Sequence, residues 1–194
     1  MKKIGLIVLG VLVVIGLTFA GSYNGLVQLE EKVSSAWAQV ESVYQRRLDL
    51  IPNLVETVKG YAAHESQTLE AVIAARAKAT SVNLPASAAS DPAQFAKFQE
   101  SQTQLSGALG RLMVVAEQYP DLKANQNFLE LQAQLEGTEN RIAVERMRFN
   151  EVAREFNTKL RQFPTNILGG LFGFKTKEYF KADQAAQAAP KVQF

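Results

Sequence analysis

An all-α fold, one N-terminal transmembrane helix followed by a long antiparallel up-and-down helical bundle, is predicted by three observations. An uncharged apolar run opens the chain, and apolar positions then recur at alternating steps of three and four over most of its length. No segment alternates with the period of two that a strand requires. The 47% hydrophobic content suffices for a core, and the 194 residues have room for one domain plus an anchor. The reading divides them into a signal anchor with a short amino terminus (1–23), a bundle domain (24–175) and a partly disordered tail (176–194).

The anchor comes first. After Lys2 and Lys3 the chain runs from Ile4 to Tyr23 without a charge, and Glu30 is the first acid it meets. As a helix this run is about 30 Å long, the thickness of a bilayer's hydrocarbon core. Two bases precede the run and none follows before Lys32, so the positive-inside rule puts Met1 in the cytoplasm and the bundle on the far side. Thr18-Phe19-Ala20 also reads as a signal-peptide cleavage site, which leaves a released soluble domain as the alternative.

The first bundle stripe is Leu26, Leu29, Val33, Ala36, Val40 and Val43, widened by Trp37 and Tyr44, and it continues through Leu48, Ile51, Val55 and Val58 to Ile73. Pro52 interrupts it, because proline lacks an N–H and its ring crowds the preceding turn. A split near Asp49 to Pro52 gives four segments of even length and is preferred; a kinked helix in a three-helix bundle is the alternative. Ser81 to Asp91 is a linker. Asp91, Pro92 and Gln94 then form a helix start with a capping box, and the stripe runs from Phe95 and Phe98 through Gln102, Leu105, Leu109 and Leu112 to Tyr119, stopped by Pro120. The last long helix begins near Asn125 or Asn127, with Glu130 in position for a second capping box. It carries Phe128, Leu135, Ile142, Phe149, Phe156, Leu160 and Phe163 before Pro164.

Charge and composition exclude several functions. Lys and Arg number 21 against 19 Asp and Glu, interspersed along the chain, so no basic footprint for nucleic acid exists. Zero Cys removes thiolate metal sites and a cysteine nucleophile. The single His, His64, has Gly60, Tyr61, Gln67 and Thr68 at the helical positions where a second metal ligand would stand. No cofactor and no small-molecule substrate is expected. A hydrolase or metal-dependent enzyme using His64 with Glu65 and Tyr61 is the rival reading, and it is disfavoured because adjacent Glu65 points about 100° around a helix from His64.

The strings Tyr44-Gln45-Arg46-Arg47-Leu48-Asp49-Leu50-Ile51-Pro52-Asn53-Leu54-Val55 and Val58-Lys59-Gly60-Tyr61-Ala62-Ala63-His64-Glu65 closely resemble the signature of the LemA family. Tyr119-Pro120-Asp121-Leu122-Lys123-Ala124-Asn125, Phe149-Asn150, Phe156-Asn157, Phe163-Pro164 and Gly173-Phe174 follow in the family's order, so the resemblance covers roughly Tyr23 to Phe180. It implies a single-pass bacterial membrane protein, here of the cytoplasmic membrane, with a helical bundle and no assigned enzymatic activity; some relatives are linked to organising membranes, including magnetosome membranes. Family descriptions place the short amino terminus outside the cell, opposite to what Lys2 and Lys3 indicate. Some relatives carry a lipid-bearing Cys where Ser22 stands here, so no lipid anchor is carried over.

Arg46, Arg47, Asp49 and Asn53 surround Pro52, and they are expected to satisfy the carbonyls it disturbs or to form a hinge or partner-binding knuckle. Tyr61, His64 and Glu65 join them as candidate interaction residues. Phe149-Asn150 and Phe156-Asn157 repeat at a heptad spacing and read as a packing seam with polar registry residues. Ile167 to Phe174 contains Gly169, Gly170 and Gly173 but lacks the Gly-Lys-Ser/Thr ending of a phosphate loop. Its apolar character, followed by Lys175 and Lys177, points to a cap over the bundle end or a segment in the headgroup layer, with Tyr23, Phe172, Phe174, Lys175 and Lys177 as candidate membrane-interface residues. A non-enzymatic envelope protein that binds a protein partner or self-associates is the expected function.

Overall fold

The computed structural model of the chain describes residues 2–82 and 85–181. Its elements are α1 (Lys2–Tyr61), α2 (Ser66–Ser81), a 3-10 helix (Ala86–Ser90), α3 (Pro92–Ala116), α4 (Pro120–Lys123), α5 (Gln126–Arg161) and α6 (Thr165–Phe172). The fold is all-α, with no strand among the described residues, and α1 packs antiparallel to α5 and α2 to α3. The expected disorder of Ala182 to Phe194 lies outside the described residues.

Helix α1 has 60 residues and carries the one candidate membrane span found among the described residues. The large apolar side chains from Ile4 to Leu17 are exposed, whereas from Leu26 onward one stripe of the same helix is buried in the bundle. Beyond Tyr23 the helix rises about 57 Å, and α5 with its 36 residues is about 54 Å long, so the two run side by side over nearly their whole length.

Pro52 does not divide the chain. It lies inside α1, and the reversal falls at Ala62 to Glu65, where Ala62 N donates to Val58 O at 2.8 Å and Glu65 N to Ala62 O at 3.0 Å. The long segments do number four (α1, α2, α3 and α5), divided ten residues beyond the expected point. Helix continuity has a physical cause. A proline at 52 deprives the carbonyl of Leu48 of its i→i−4 donor, and Arg76 of α2 supplies the replacement, its Nε donating to Leu48 O at 2.9 Å.

Helix starts follow side-chain chemistry. Asp91 Oδ1 accepts from Ala93 N at 3.0 Å and Gln94 N at 3.2 Å. The Gln94 side chain does not close the expected capping box: it donates to Asp91 Oδ2 at 2.9 Å, because Asp91 N is already bonded to Ala88 O at 2.9 Å. That second bond belongs to the 3-10 helix, which orders much of the expected linker and buries Ala88 and Ala89. Of the two candidate starts for α5, the cap is Asn125, whose Oδ1 accepts from Phe128 N at 3.0 Å.

The core has two parts. The half nearer the apolar run is aromatic, built from Trp37, Tyr44, Phe95, Phe98, Phe149, Phe156 and Phe180. The far half is aliphatic, running from Leu48 and Ile51 to Leu112, Leu122 and Leu135. After α6, Gly173 at φ 75° turns the chain in the left-handed region that favours glycine. Residues 174–181 then return along α5 as a strap without regular secondary structure, and Lys177 and Phe180 on it are buried. Packing therefore extends past the expected domain limit at residue 175.

Candidate functional site

The base of the bundle brings the end of the apolar run against α6 and the strap, which lie at the other end of the sequence. The Tyr23 ring lies 4.9 Å from that of Phe172, tilted to it, and 5.9 Å from that of Phe174, edge to face. Phe174 in turn lies 6.3 Å from Phe156 of α5. Helix α6 turns Thr165, Leu168 and Gly169 inward, and a Cβ on Gly169 would stand only 2.4 Å from Leu160 Cδ1. Glycine there lets α6 press against the end of α5. Its other face is apolar and open, with Leu171 73% and Ile167 50% exposed, and the rings of Phe163 before it and Phe172 at its end are exposed too.

Of the expected membrane-interface residues, Tyr23, Phe172 and Phe174 meet and Lys175 is exposed, but Lys177 is turned inward. Its Nζ pairs with Glu30 Oε1 at 2.8 Å and sits 5.0 Å over the Phe156 ring. Burial of a lysine is tolerated here because a carboxylate and a ring face both meet the ammonium.

The heptad-spaced asparagines grip this strap. Asn157 Oδ1 accepts from Lys177 N and its Nδ2 donates to Lys177 O, both at 2.8 Å, with a further donation to Tyr179 Oη at 2.9 Å. One heptad earlier, Asn150 repeats the pairing on Phe180, accepting from its N at 2.8 Å and donating to its O at 2.9 Å. Each amide thus satisfies one residue's backbone donor and acceptor at once. Between them the chain delivers Phe180 into the aromatic core, its ring stacked on Trp37 at 6.0 Å and covered by the Arg146 guanidinium at 5.0 Å. Glu178 N adds a bond to Ala89 O at 2.8 Å.

Residues around Pro52 separate into two groups. Arg46, Asp49, Pro52 and Asn53 are exposed. Arg47 is 1% exposed and faces the interior at the junction of the aromatic and aliphatic cores. Its Nη1 donates to Ser106 Oγ at 2.9 Å and Glu139 Oε2 at 2.8 Å, its Nη2 to Gln102 Oε1 at 2.5 Å, and its Nε has no partner among the described residues. The guanidinium lies 5.1 Å from the Tyr44 ring centre. It joins α1, α3 and α5. Nothing about Arg47 serves the carbonyl that Pro52 disturbs; that role falls to Arg76, which sequence spacing did not single out. A signal for Arg47 was present, since it continues the buried series Val40, Tyr44 and Ile51, and Gln102 stands in the α3 stripe.

At the far end, Asn125 Nδ2 donates to Tyr61 Oη at 2.9 Å and Tyr119 Oη donates to Glu65 Oε1 at 2.9 Å. These bonds fasten the α1–α2 reversal to the α3–α5 connection. Donation to the Glu65 carboxylate holds the Tyr119 hydroxyl above its ordinary pKa of 10.0, with desolvation adding to the effect. His64 is exposed, whereas Glu65 and Tyr61 are engaged by Tyr119 and Asn125. No group of three His, Asp or Glu side chains able to hold a metal ion occurs among the described residues.

Several known proteins are similar to this chain in sequence. A relative described as Magnetosome protein MamQ 2, from Paramagnetospirillum magneticum, is 29% identical over 199 residues, covering 93% of this chain and 73% of that protein. Magnetosome protein MamQ of Magnetospirillum gryphiswaldense is 29% identical over 175 residues, with 81% and 64% covered. Protein LemA of Metamycoplasma hominis is 23% identical over 166 residues, with 86% and 72% covered. The sequence model of the LemA family matches residues 36–194, which takes in the Pro52 segment, both phenylalanine–asparagine pairs and the strap. The chain belongs to the LemA family.

Proposed function

We propose that this protein is a non-enzymatic scaffold of a bacterial cytoplasmic membrane, held there by the first third of α1, with Met1 in the cytoplasm and the bundle outside. One observation carries the reading: the exposed apolar run and the buried stripe of the bundle are parts of one uninterrupted helix. A bundle joined to its span without a flexible linker has its direction set by the span, which suits a protein that presents a surface at a defined height and angle. Lys2 and Lys3 ahead of the run support the orientation. The magnetosome proteins among the relatives favour a role in organising a membrane, by binding a protein partner or by self-association.

Two experiments test this. The chain has no Cys, so a Ser87→Cys variant is labelled in intact cells, and after permeabilising any outer membrane, with an impermeant thiol reagent. Labelling without lysis of the cytoplasmic membrane is expected; labelling only after that lysis would reverse the orientation. Full-length protein reconstituted at high coverage should alter vesicle shape or cluster in the bilayer. Dispersed single copies on unchanged vesicles would remove the organising role.

A further inference from the structure

The open face of α6 is a second hydrophobic surface, set apart from the anchor in sequence and adjacent to it in space. Ile167 and Leu171 stand four apart in α6 and therefore share one side of the helix, while Phe163 just before the helix and Phe172 at its end add exposed rings. Their exposure contrasts with Leu168 and Gly169 on the opposite side, which are buried. An amphipathic helix with its apolar side unpaired is unstable in water unless something covers it.

Position identifies the cover. Tyr23 closes the apolar run, and its ring touches Phe172 at the end of α6. Tyrosine at the end of a span sits at headgroup level, so α6 is held at that same level. Helix α6 also begins only after α5 has descended alongside α1 to its foot, where Leu160 and Gly169 meet. Lys175, exposed just past Gly173, offers a charge at the same depth.

We propose that α6 is a second membrane contact, its Ile167 and Leu171 face, with Phe163 just before the helix and Phe172 at its end, lying at the headgroup–acyl boundary of the leaflet from which α1 emerges. The proposal rests on the anchoring reading above. Span and bundle share one continuous helix and so move as one body, and a span alone lets that body tilt in the bilayer; a second contact to one side of α1 holds the tilt. The bundle then stands on the bilayer in one fixed pose.

The test uses full-length protein with single cysteines at Ile167, Leu171, Val13 and Val114, each carrying a nitroxide, with helix content checked by circular dichroism. Val13 lies in the apolar run and Val114 is exposed toward the far end of α3. The protein is placed one copy per phosphatidylcholine nanodisc, and collision rates with oxygen and with a neutral nickel complex are compared. Labels at Ile167 and Leu171 should favour oxygen several-fold over the label at Val114, as Val13 does. If Val13 favours oxygen while Ile167 and Leu171 meet nickel as freely as Val114, the second contact is wrong and the anchor stands. If Val13 also meets nickel freely, the anchor fails and the second contact fails with it. Shielding of Leu171 in crowded vesicles that disappears in single-copy discs would make a second copy the occupant and overturn the proposal.

Discussion

Replacing Arg76 by Met should cost this protein more than its partly exposed position suggests, and the reason is Pro52. Met keeps the aliphatic stem and removes only the donor that Leu48 O receives from Nε at 2.9 Å. A hydrogen bond from a charged donor contributes about 1.5–3 kcal/mol, and partial exposure of Arg76 puts the expected loss near the lower end, at about 1–2 kcal/mol. Pro52→Ala acts in the opposite direction. It restores the N–H that the Leu48 carbonyl lacks and removes a proline whose interior cost is about 3 kcal/mol, part of which Arg76 already offsets. A gain of about 1–2 kcal/mol is expected, and because Pro52 is exposed no packing is lost. With Ala at 52, the carbonyl has its ordinary partner and Arg76→Met should become nearly silent. The double-mutant cycle therefore predicts a coupling of about 1–2 kcal/mol between residues on different helices. Denaturant unfolding of the full-length protein in micelles, followed by far-UV circular dichroism, measures all four corners. Additivity within about 0.3–0.5 kcal/mol would refute the claim that Arg76 substitutes for the missing N–H.

Three further outcomes follow from the same contacts. Asn157→Ala removes three hydrogen bonds to the strap, at about 1 kcal/mol each, so amide exchange at Lys177 to Phe180 should accelerate and trypsin should gain access to Lys177; unchanged protection would show that Phe180 alone holds the strap. The backbone N–H of Gln94, then its side chain, hold the Asp91 carboxylate below its ordinary pKa of 3.8. Its stabilisation is present above that value and fades as pH falls through the lowered folded value, so Asp91→Ala should lose that part of the acid dependence seen in wild-type unfolding. The Tyr119 hydroxyl is held above 10.0, so its stabilisation is complete below pH 10 and is lost as pH rises through the folded value. A Tyr119→Phe variant should be destabilised at neutral pH and show a shallower alkaline decline, and an equally steep one would dissociate the decline from the Glu65 bond.

Local chemistry written along the chain was enough for much of this architecture. Heptad spacing yields the buried faces of α1, α3 and α5 because side chains three and four apart necessarily share a helix face. Asp91 before Pro92 and Asn125 before α5 mark helix starts because each side chain bonds to backbone within three residues of itself. The run from Ile4 to Tyr23 identifies a candidate span for the same kind of reason: length and the absence of charge are properties of a segment by itself.

Tertiary packing decided the rest, wherever the partner of a group lies far along the chain. Proline at 52 breaks or bends a helix in isolation, yet α1 continues to Tyr61, and the donor that Leu48 O receives in place of the missing N–H comes from Arg76 of α2. Sequence alone assigns Arg47 to the neighbourhood of Pro52 and Lys177 to the membrane interface; α3 and α5 bring Gln102, Ser106 and Glu139 to the first, and the strap's return brings Glu30 to the second. Asn150 and Asn157 announced a registry role through their spacing, but not that their partner is the chain's own backbone some 20 to 30 residues later. A segment's periodicity records which of its sides is buried, because burial repeats with the helix. A single hydrogen bond or ion pair across the fold leaves no such repeat, and its partner is fixed only when the helices have packed.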